Sequence, residues 1–414
     1  MIRRDWGFVV LPLALVGLAA CGEDAKDDAA LDGAGGGACA VEDRGDGTAV
    51  IRCADGSEFT VGNGKPGADG KDGKDGEDGA KGEDGKDAEE PPCSLSENED
   101  GTQTLTCGDQ SVVVGAPCEG GFPGTLSITK EDDVAAASNL LLFQVSTCTW
   151  VRGSVVVAQF PGETLPQALA RIQKVDGDVV ITNNADLTIA SLPALTTVGG
   201  AVLVGQNAAL TETSFPALAT VGKDLVWYYN PALVSVGELP KLIEVKGTLG
   251  WLQNPNVERT PDFPELTAVG TDLGWVENQK LVGTGAYPKL KSVGSFLGWR
   301  GNVSLEDLGS FGALESVDGF EIRQNGALEA VVDFPKLTTV GGDGVLITNN
   351  ASLTALEGLG SITKVTGPVT IQDNPKLPVC DVWDWIGEIQ DAEGVDGPIT
   401  VTNNDNTDDS CLVL

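Results

Sequence analysis

The chain has 414 residues, of which 41% are hydrophobic, so it is long enough for several domains or for one long repeat array. Its formal net charge of −35 at pH 7 disfavours nucleic acid as a partner, because phosphate binding needs a basic surface. The absence of histidine excludes Ser-His-Asp and Cys-His catalytic systems and removes the commonest metal ligand. We expect no catalytic residue, cofactor or metal site, although the acidic loops leave calcium binding open.

Residues 1–20 have the pattern of a signal peptide, with Arg3 and Arg4 followed by an apolar stretch that is too short for a permanent membrane span. The segment Leu18-Ala19-Ala20-Cys21 resembles the lipobox of bacterial lipoproteins. This resemblance implies cleavage before Cys21, acylation of Cys21 and anchoring in the bacterial envelope, at the outer membrane or cell surface. The alternative is an ordinary signal peptide followed by an incidental cysteine.

Eight cysteines follow Cys21, an even number that suits the oxidising compartment of an exported protein. In two segments, 39–63 and 93–118, a pair of cysteines fourteen residues apart brackets an Asp-Gly turn signal. We predict that each segment is a hairpin closed by its own disulfide, and that two further disulfides lie near the ends of the main domain. The predicted pairs are Cys39–Cys53, Cys93–Cys107, Cys118–Cys148 and Cys380–Cys411.

Two spacers separate these elements from the amino terminus and from each other. Residues 21–38 form an acidic tether, and in 64–90 glycine recurs at every third position from Gly64 to Gly85. The second segment resembles a collagen-like Gly-X-Y repeat, which implies a homotrimer, but its composition equally suits a flexible charged linker. In extended form its eight triplets, the 24 residues 64–87, reach about 75 Å at ~3.1 Å per residue.

A unit of 23 to 25 residues recurs over 151–378. Each unit has a valine, then two apolar residues that alternate as in a strand, then an asparagine. The valines are Val151, Val175, Val198, Val221, Val245, Val269, Val293, Val317, Val340 and Val365. The asparagines are Asn184, Asn207, Asn230, Asn254, Asn278, Asn302, Asn325, Asn350 and Asn374. This period predicts a solenoid in which parallel strands stack and the asparagine amides satisfy backbone groups in the turn after each strand.

Three phrases, at 183–187, 195–200 and 374–377, resemble the leucine-rich repeats of receptor L domains. The resemblance implies a mainly β fold, a right-handed parallel β-helix or leucine-rich-repeat-like solenoid of about ten coils. We expect caps over 119–150 and 379–414, a helix from Thr164 to Gln173 and a second helix from Asp381 to Gln390.

Four consecutive units have tryptophan at the same inward position: Trp227, Trp251, Trp275 and Trp299. The first interpretation is a stacked ladder in the core. The second is an exposed aromatic strip for sugar rings, favoured by the glycines that precede three of the four. The next residue of each strand points outward, and we expect these residues to form a modest binding face: Tyr228, Leu252, Val276 and Arg300.

These features predict a lipid-anchored envelope protein whose non-catalytic solenoid binds or adheres to a protein or glycan. The alternative is a structural envelope component without a discrete ligand. A polysaccharide-acting β-helix enzyme is a distant third, because the carboxylates scatter over the loops without forming a paired set.

Overall fold

A computed structural model describes residues 39–43, 48–53, 58–62, 93–97, 103–107, 110–114, 121–122, 124–129 and 148–407. The chain divides into two compact units, residues 1–87 and 88–414. The signal peptide, Cys21 and the Gly-X-Y segment lie outside the described residues.

Each predicted hairpin has a third strand. In the first unit, β1 (Cys39–Asp43), β2 (Thr48–Cys53) and β3 (Glu58–Gly62) form an antiparallel sheet in that order. In the second unit, β4 (Cys93–Glu97), β5 (Gln103–Cys107) and β6 (Gln110–Val114) repeat the arrangement. A lone two-stranded hairpin is marginal in water, so the third strand is a physically expected addition that the turn signal alone did not reveal.

The rest of the described chain is a β-solenoid of about nine turns, which confirms the predicted fold class. Its strands are β7 (Leu126–Thr129), β8 (Trp150–Val151), β9 (Val155–Ala158), β10 (Lys174–Val175), β11 (Val179–Thr182), β12 (Ile189–Ser191), β13 (Thr197–Val198), β14 (Val202–Gly205), β15 (Glu212–Ser214), β16 (Thr220–Val221), β17 (Leu225–Tyr228), β18 (Glu244–Val245), β19 (Leu249–Leu252), β20 (Ala268–Val269), β21 (Leu273–Val276), β22 (Ser292–Arg300), β23 (Ser316–Arg323), β24 (Thr339–Thr348), β25 (Lys364–Val365), β26 (Val369–Gln372), β27 (Gly394–Val395) and β28 (Ile399–Thr402). All of these except β12 and β15 belong to one parallel sheet.

Successive coils pair in parallel, one repeat apart. Val179 lies opposite Val202 and Ile181 opposite Val204, so equivalent apolar residues stack in columns. These residues are buried, as are the repeat valines. The prediction that the alternating positions face one shared interior is therefore confirmed, and no single coil could bury such a core alone.

The repeat asparagines form a continuous ladder inside the solenoid. The side-chain Nδ2 of Asn184 donates to Oδ1 of Asn207 at 2.9 Å and to the carbonyl of Val157 at 3.1 Å. The backbone N–H of Asn184 also donates to Oδ1 of Asn207, at 3.1 Å. Equivalent backbone-to-Oδ1 bonds recur along the column to Asn404, and the asparagines from 184 to 374 are 0% exposed. The predicted structural role of the asparagines is confirmed.

The residue before each ladder asparagine has a positive φ, between 52° and 69°. These residues are Asn183, Gln206, Tyr229, Gln253, Glu277, Gly301, Gln324, Asn349, Asp373 and Asn403. The turn breaks the strand alternation, so that Tyr229 is exposed and Asn230, which alternation would turn outward, is buried. A left-handed backbone costs about 1–2 kcal/mol for an ordinary L-residue, and glycine avoids this cost.

The solenoid extends past both ends of the predicted repeat. On the amino-terminal side, β7 pairs in parallel with β9, and Leu126 is buried in the core. On the carboxyl-terminal side, β28 pairs with β26 after an inserted helix, α1 (Val379–Ala392). Helix α1 covers the predicted span and buries Trp385 and Ile386 against the core.

The predicted helix from Thr164 to Gln173 is wrong. The structure has only a 3₁₀ turn over Gln167–Arg171, and Pro166 precedes it with an extended ψ of 134°. Thr164 instead forms a parallel bridge with Ile189 of β12. The solenoid path, which holds this segment beside the next coil, overrides the local helix signals.

We expect Asn278→Ala to lower the free energy of unfolding by about 3 kcal/mol, because it leaves buried backbone groups of the neighbouring coils without partners. Asn278 donates to Oδ1 of Asn302 and to the carbonyl of Trp251, and it accepts from the N–H of Asn254. Chemical denaturation of the full chain measures the change. Exposed Gln279 is the control, and Gln279→Ala should shift the value by less than about 0.5 kcal/mol. Equal effects at the two positions would contradict the role of the ladder.

Candidate functional site

The tryptophan column lies in the core. Trp227, Trp251, Trp275 and Trp299 are each 0% exposed. Successive indole centroids are 5.5, 5.5 and 5.2 Å apart, and the ring planes lie within 8° of parallel. The core-ladder interpretation is confirmed, and the exposed sugar-binding strip is wrong, because strand alternation points all four indoles inward.

A second aromatic ladder packs against the first. It consists of Phe263, Tyr287, Phe311 and Phe334, with centroids 5.0, 4.8 and 5.1 Å apart. Each indole from Trp251 to Trp299 meets this column edge to face at 5.7 to 6.0 Å. Both stacked and edge-to-face pairs are favourable aromatic geometries, so the two columns stiffen the middle coils.

The predicted outward face is aligned but is less exposed than expected. Tyr228 lies opposite Leu252, Leu252 opposite Val276, and Val276 opposite Arg300. The alignment of one side chain per coil is therefore confirmed. However, Tyr228 is 5% exposed and Leu252 is 8% exposed, while Val276 and Arg300 are half-buried. Only Val276 and Arg300 therefore have side chains that are accessible to a partner.

The burial of Tyr228 has a local cause. Its ring lies over Gly205 of the preceding coil, where an added Cβ would come within 2.2 Å of the ring. Its hydroxyl lies 3.5 Å from Oγ1 of Thr182, two coils away. The phenol therefore lies along the sheet instead of projecting from it.

Arginine continues the outward column. Arg300 lies opposite Arg323 in the register of β22 and β23, and both side chains are half-buried. Glu321 lies on the same face of the sheet, two residues before Arg323, and is buried, so two arginines and one carboxylate share this region. The arginines outnumber the carboxylate, which favours an acidic group on a ligand that contacts this part of the sheet.

The column of left-handed residues forms a second, more exposed feature, which sequence reasoning missed. We call these residues, from Asn183 to Asn403, the polar edge. The side chains of Gln206, Gln324 and Asn349 are exposed, and Tyr229 is 46% exposed. A sequence pattern that could have indicated the polar edge is the residue directly before each ladder asparagine. This residue is polar or aromatic at every position except Gly301.

Two surface depressions on the described coils are small. One, of about 300 Å³, is lined by Gln159, Phe160, Pro161, Asn183, Ala185 and Asp186. A second, of about 240 Å³, lies near Asp333 and Glu357. Pockets for compact ligands start at roughly 300 Å³. Both depressions are therefore at or below that size.

A charged cluster lies at the start of the solenoid. Lys174 contacts the carboxylate of Asp176 at 3.0 Å and lies 4.2 Å from the centre of the Trp150 ring. The hydrogen bond from Lys174 lowers the pKa of Asp176. The pair is exposed to solvent, so it contributes little to stability.

The backbone register agrees with the predicted hairpin disulfides. Cys39 lies directly opposite Cys53, and Cys93 directly opposite Cys107, in antiparallel pairs. Directly opposed residues are about 4.5–5.5 Å apart at Cα, a separation that a disulfide can span. Cys148 and Cys380 are each disulfide-bonded. Their predicted partners, Cys118 and Cys411, lie outside the described residues, so these pairings stay predictions.

Comparisons of the chain with protein-family models, curated proteins and solved structures found no match. The resemblance to receptor L domains therefore stays a prediction. In the described ranges, no helix has both the length and the apolar character needed to cross a bilayer. The same residues contain no cluster of three or more histidine, cysteine or carboxylate side chains arranged to hold a metal ion.

Burial raises the pKa of Tyr287, which lies between Phe263 and Phe311. The hydroxyl of Thr260 opposes this shift, but the buried phenol has no hydrogen-bond partner of ordinary geometry. The folded protein thus retains a proton that the unfolded chain loses above a pH of about 10. This contribution to stability is complete below that pH and is lost as the pH rises.

We expect Tyr287→Phe to raise the free energy of unfolding by about 1 kcal/mol at neutral pH, because it removes a buried hydroxyl without a partner. We also expect a smaller loss of stability at alkaline pH than in the unaltered protein. Urea unfolding between about pH 8 and about pH 11 measures both effects. Tyr229→Phe, which removes an exposed hydroxyl, is the control and should leave the stability at neutral pH unchanged. A lower stability of Tyr287→Phe at neutral pH would show that the hydroxyl is satisfied.

Proposed function

We propose that this protein is a lipid-anchored component of the bacterial envelope whose solenoid binds a protein or glycan without acting on it chemically. A single observation supports this proposal. On one side of the solenoid, the outward residue of each coil lies opposite the equivalent residue of the next coil, over successive parallel strands. Aligned outward positions on a repeat array are the usual place for contacts with a partner.

An extended contact surface is favoured over a catalytic cleft. The two depressions described above are near or below the size that encloses a small ligand. One outward position per coil gives a line of contact positions along the solenoid. That arrangement suits adhesion to a long or repetitive partner better than convergence on one reacting bond.

The anchor and the spacers complete the proposal. Acyl chains on Cys21 attach the chain to a membrane through buried methylenes, each contributing about 0.8 kcal/mol. The tether and the Gly-X-Y segment that follow then hold the solenoid away from that membrane. A homotrimer formed through the Gly-X-Y segment would present three solenoids together and would raise the apparent affinity for a multivalent surface.

The anchor can be tested by labelling cells with a fatty acid. We expect the full chain to incorporate the label and to sediment with membranes, and Cys21→Ser to lose both properties because it lacks the sulfur that is acylated. Cys39→Ser is the matched control: it removes a different cysteine, so it should keep the label. Labelled Cys21→Ser protein would refute the anchor.

The binding role can be tested with the full chain, purified from membranes in detergent, on arrays of glycans and of envelope proteins. We expect saturable binding to members of one of these classes. Arg300→Glu should weaken binding to acidic protein ligands about tenfold, because it reverses one charge of the arginine pair. An absence of binding combined with self-association of the chain would favour the structural alternative and would overturn the proposal.

A further inference from the structure

The polar edge places strained residues where glycine would be free of strain. Its backbone has φ between 52° and 69°, yet Gly301 is the only glycine among the ten positions. Asparagine and aspartate tolerate this conformation relatively well. Glutamine, glutamate and tyrosine do not, and they occupy five of the positions: Gln206, Tyr229, Gln253, Glu277 and Gln324. The turn itself therefore does not explain the choice of residues.

Contacts within the edge account for only some of these residues. Gln253 donates to Glu277 at 2.6 Å, Asn403 donates to Asp373 at 2.8 Å, and Thr182 donates to Gln206 at 3.4 Å. The first two bonds are short but exposed to solvent, the third is long, and none of them involves Tyr229 or Gln324. The fold requires the left-handed turn but not a glutamine or tyrosine in it, and strained residues of this kind cluster at binding and catalytic sites.

The side chains of the edge indicate the chemistry of the ligand. An amide both donates and accepts hydrogen bonds, as hydroxyl groups on a ligand require. Tyr229, at 46% exposure, lies one coil from exposed Gln206 and one coil from half-buried Gln253, and it adds an aromatic ring that packs edge to face against Tyr228. The net charge of −35 disfavours a polyanion at this exposed edge. These properties match a neutral ligand rich in hydroxyl groups.

The spacing of the edge indicates an extended ligand. Successive coils of a parallel sheet lie about 4.8 Å apart, so the edge repeats its amides with that period along the solenoid axis. This period is comparable with the length of one sugar unit in a β-linked chain. A linear polysaccharide lying along the axis can therefore meet a similar side chain at each coil.

We propose that the polar edge, centred on Gln206, Tyr229 and Gln253, is the binding site for an extended neutral polysaccharide. This inference rests on the proposed binding function and names the ligand class and the residues. By this inference, the ligand makes its main contacts with the left-handed turns and not with the half-buried column at Val276 and Arg300.

The test uses cello-oligosaccharides and chito-oligosaccharides of three to eight units, with binding to the full chain measured by calorimetry. We expect affinity to increase with the length of the oligosaccharide as more coils are engaged. The triple variant Gln206→Gly, Tyr229→Gly, Gln253→Gly should bind at least tenfold more weakly. Its melting temperature should be unchanged or higher, since glycine relieves the strained φ. Lys336→Ala, at an exposed position outside the edge, is the control and should bind like the unaltered chain.

Each of the other outcomes would contradict one of the two proposals or both. Unchanged affinity in the triple variant would remove the edge as the site, while the proposed binding function would stand. A clear fall in melting temperature would assign the edge residues a structural role instead. Binding to envelope proteins without binding to either oligosaccharide series would make the ligand class wrong. No binding to either class would overturn both proposals.

Discussion

The structure depends on how the polar backbone is satisfied inside a narrow solenoid. Each coil turns sharply after its main strand, and that turn lies at the core, where backbone groups have no access to water. The asparagine column solves this problem, because one side chain, such as that of Asn207, accepts from the backbone N–H of the previous asparagine and donates to a strand carbonyl of that same previous coil. An unsatisfied buried group would cost about 1–3 kcal/mol in each coil. The ladder is thus a condition for stacking.

The ladder also determines the other columns. To bury the asparagine directly after a strand, the preceding residue must adopt a left-handed backbone, as Tyr229 does before Asn230. That residue then projects outward from the solenoid. The same repeat therefore produces three parallel columns: aromatic or aliphatic side chains in the core, amides beside them, and exposed polar side chains at the turn. The proposed binding surface is therefore a consequence of the way in which the ladder asparagines are buried.

The buried positions of this architecture could be predicted from the sequence, and the environment of the surface positions could not. The apolar alternation and the recurring asparagine predict which side chains are buried, because those positions are constrained by stacking in every coil. The burial of Tyr228 depends on Gly205 in another coil, and strand alternation says nothing about that neighbour. The left-handed turn was hidden because glutamine and tyrosine, unlike glycine, are not signals for a positive φ. The helix expected at Thr164 failed because local capping signals ignore the path of the solenoid.

The tryptophan ladder gives the molecule an optical property. Four of the eight tryptophans of the chain are held face to face, with planes nearly parallel and centroids 5.2 to 5.5 Å apart, away from solvent. Indoles this close couple their electronic transitions, so the absorption and fluorescence of these tryptophans depend on the spacing of coils 227–299. This dependence is lost when neighbouring coils separate. The protein therefore contains a built-in spectroscopic marker for the integrity of its central coils.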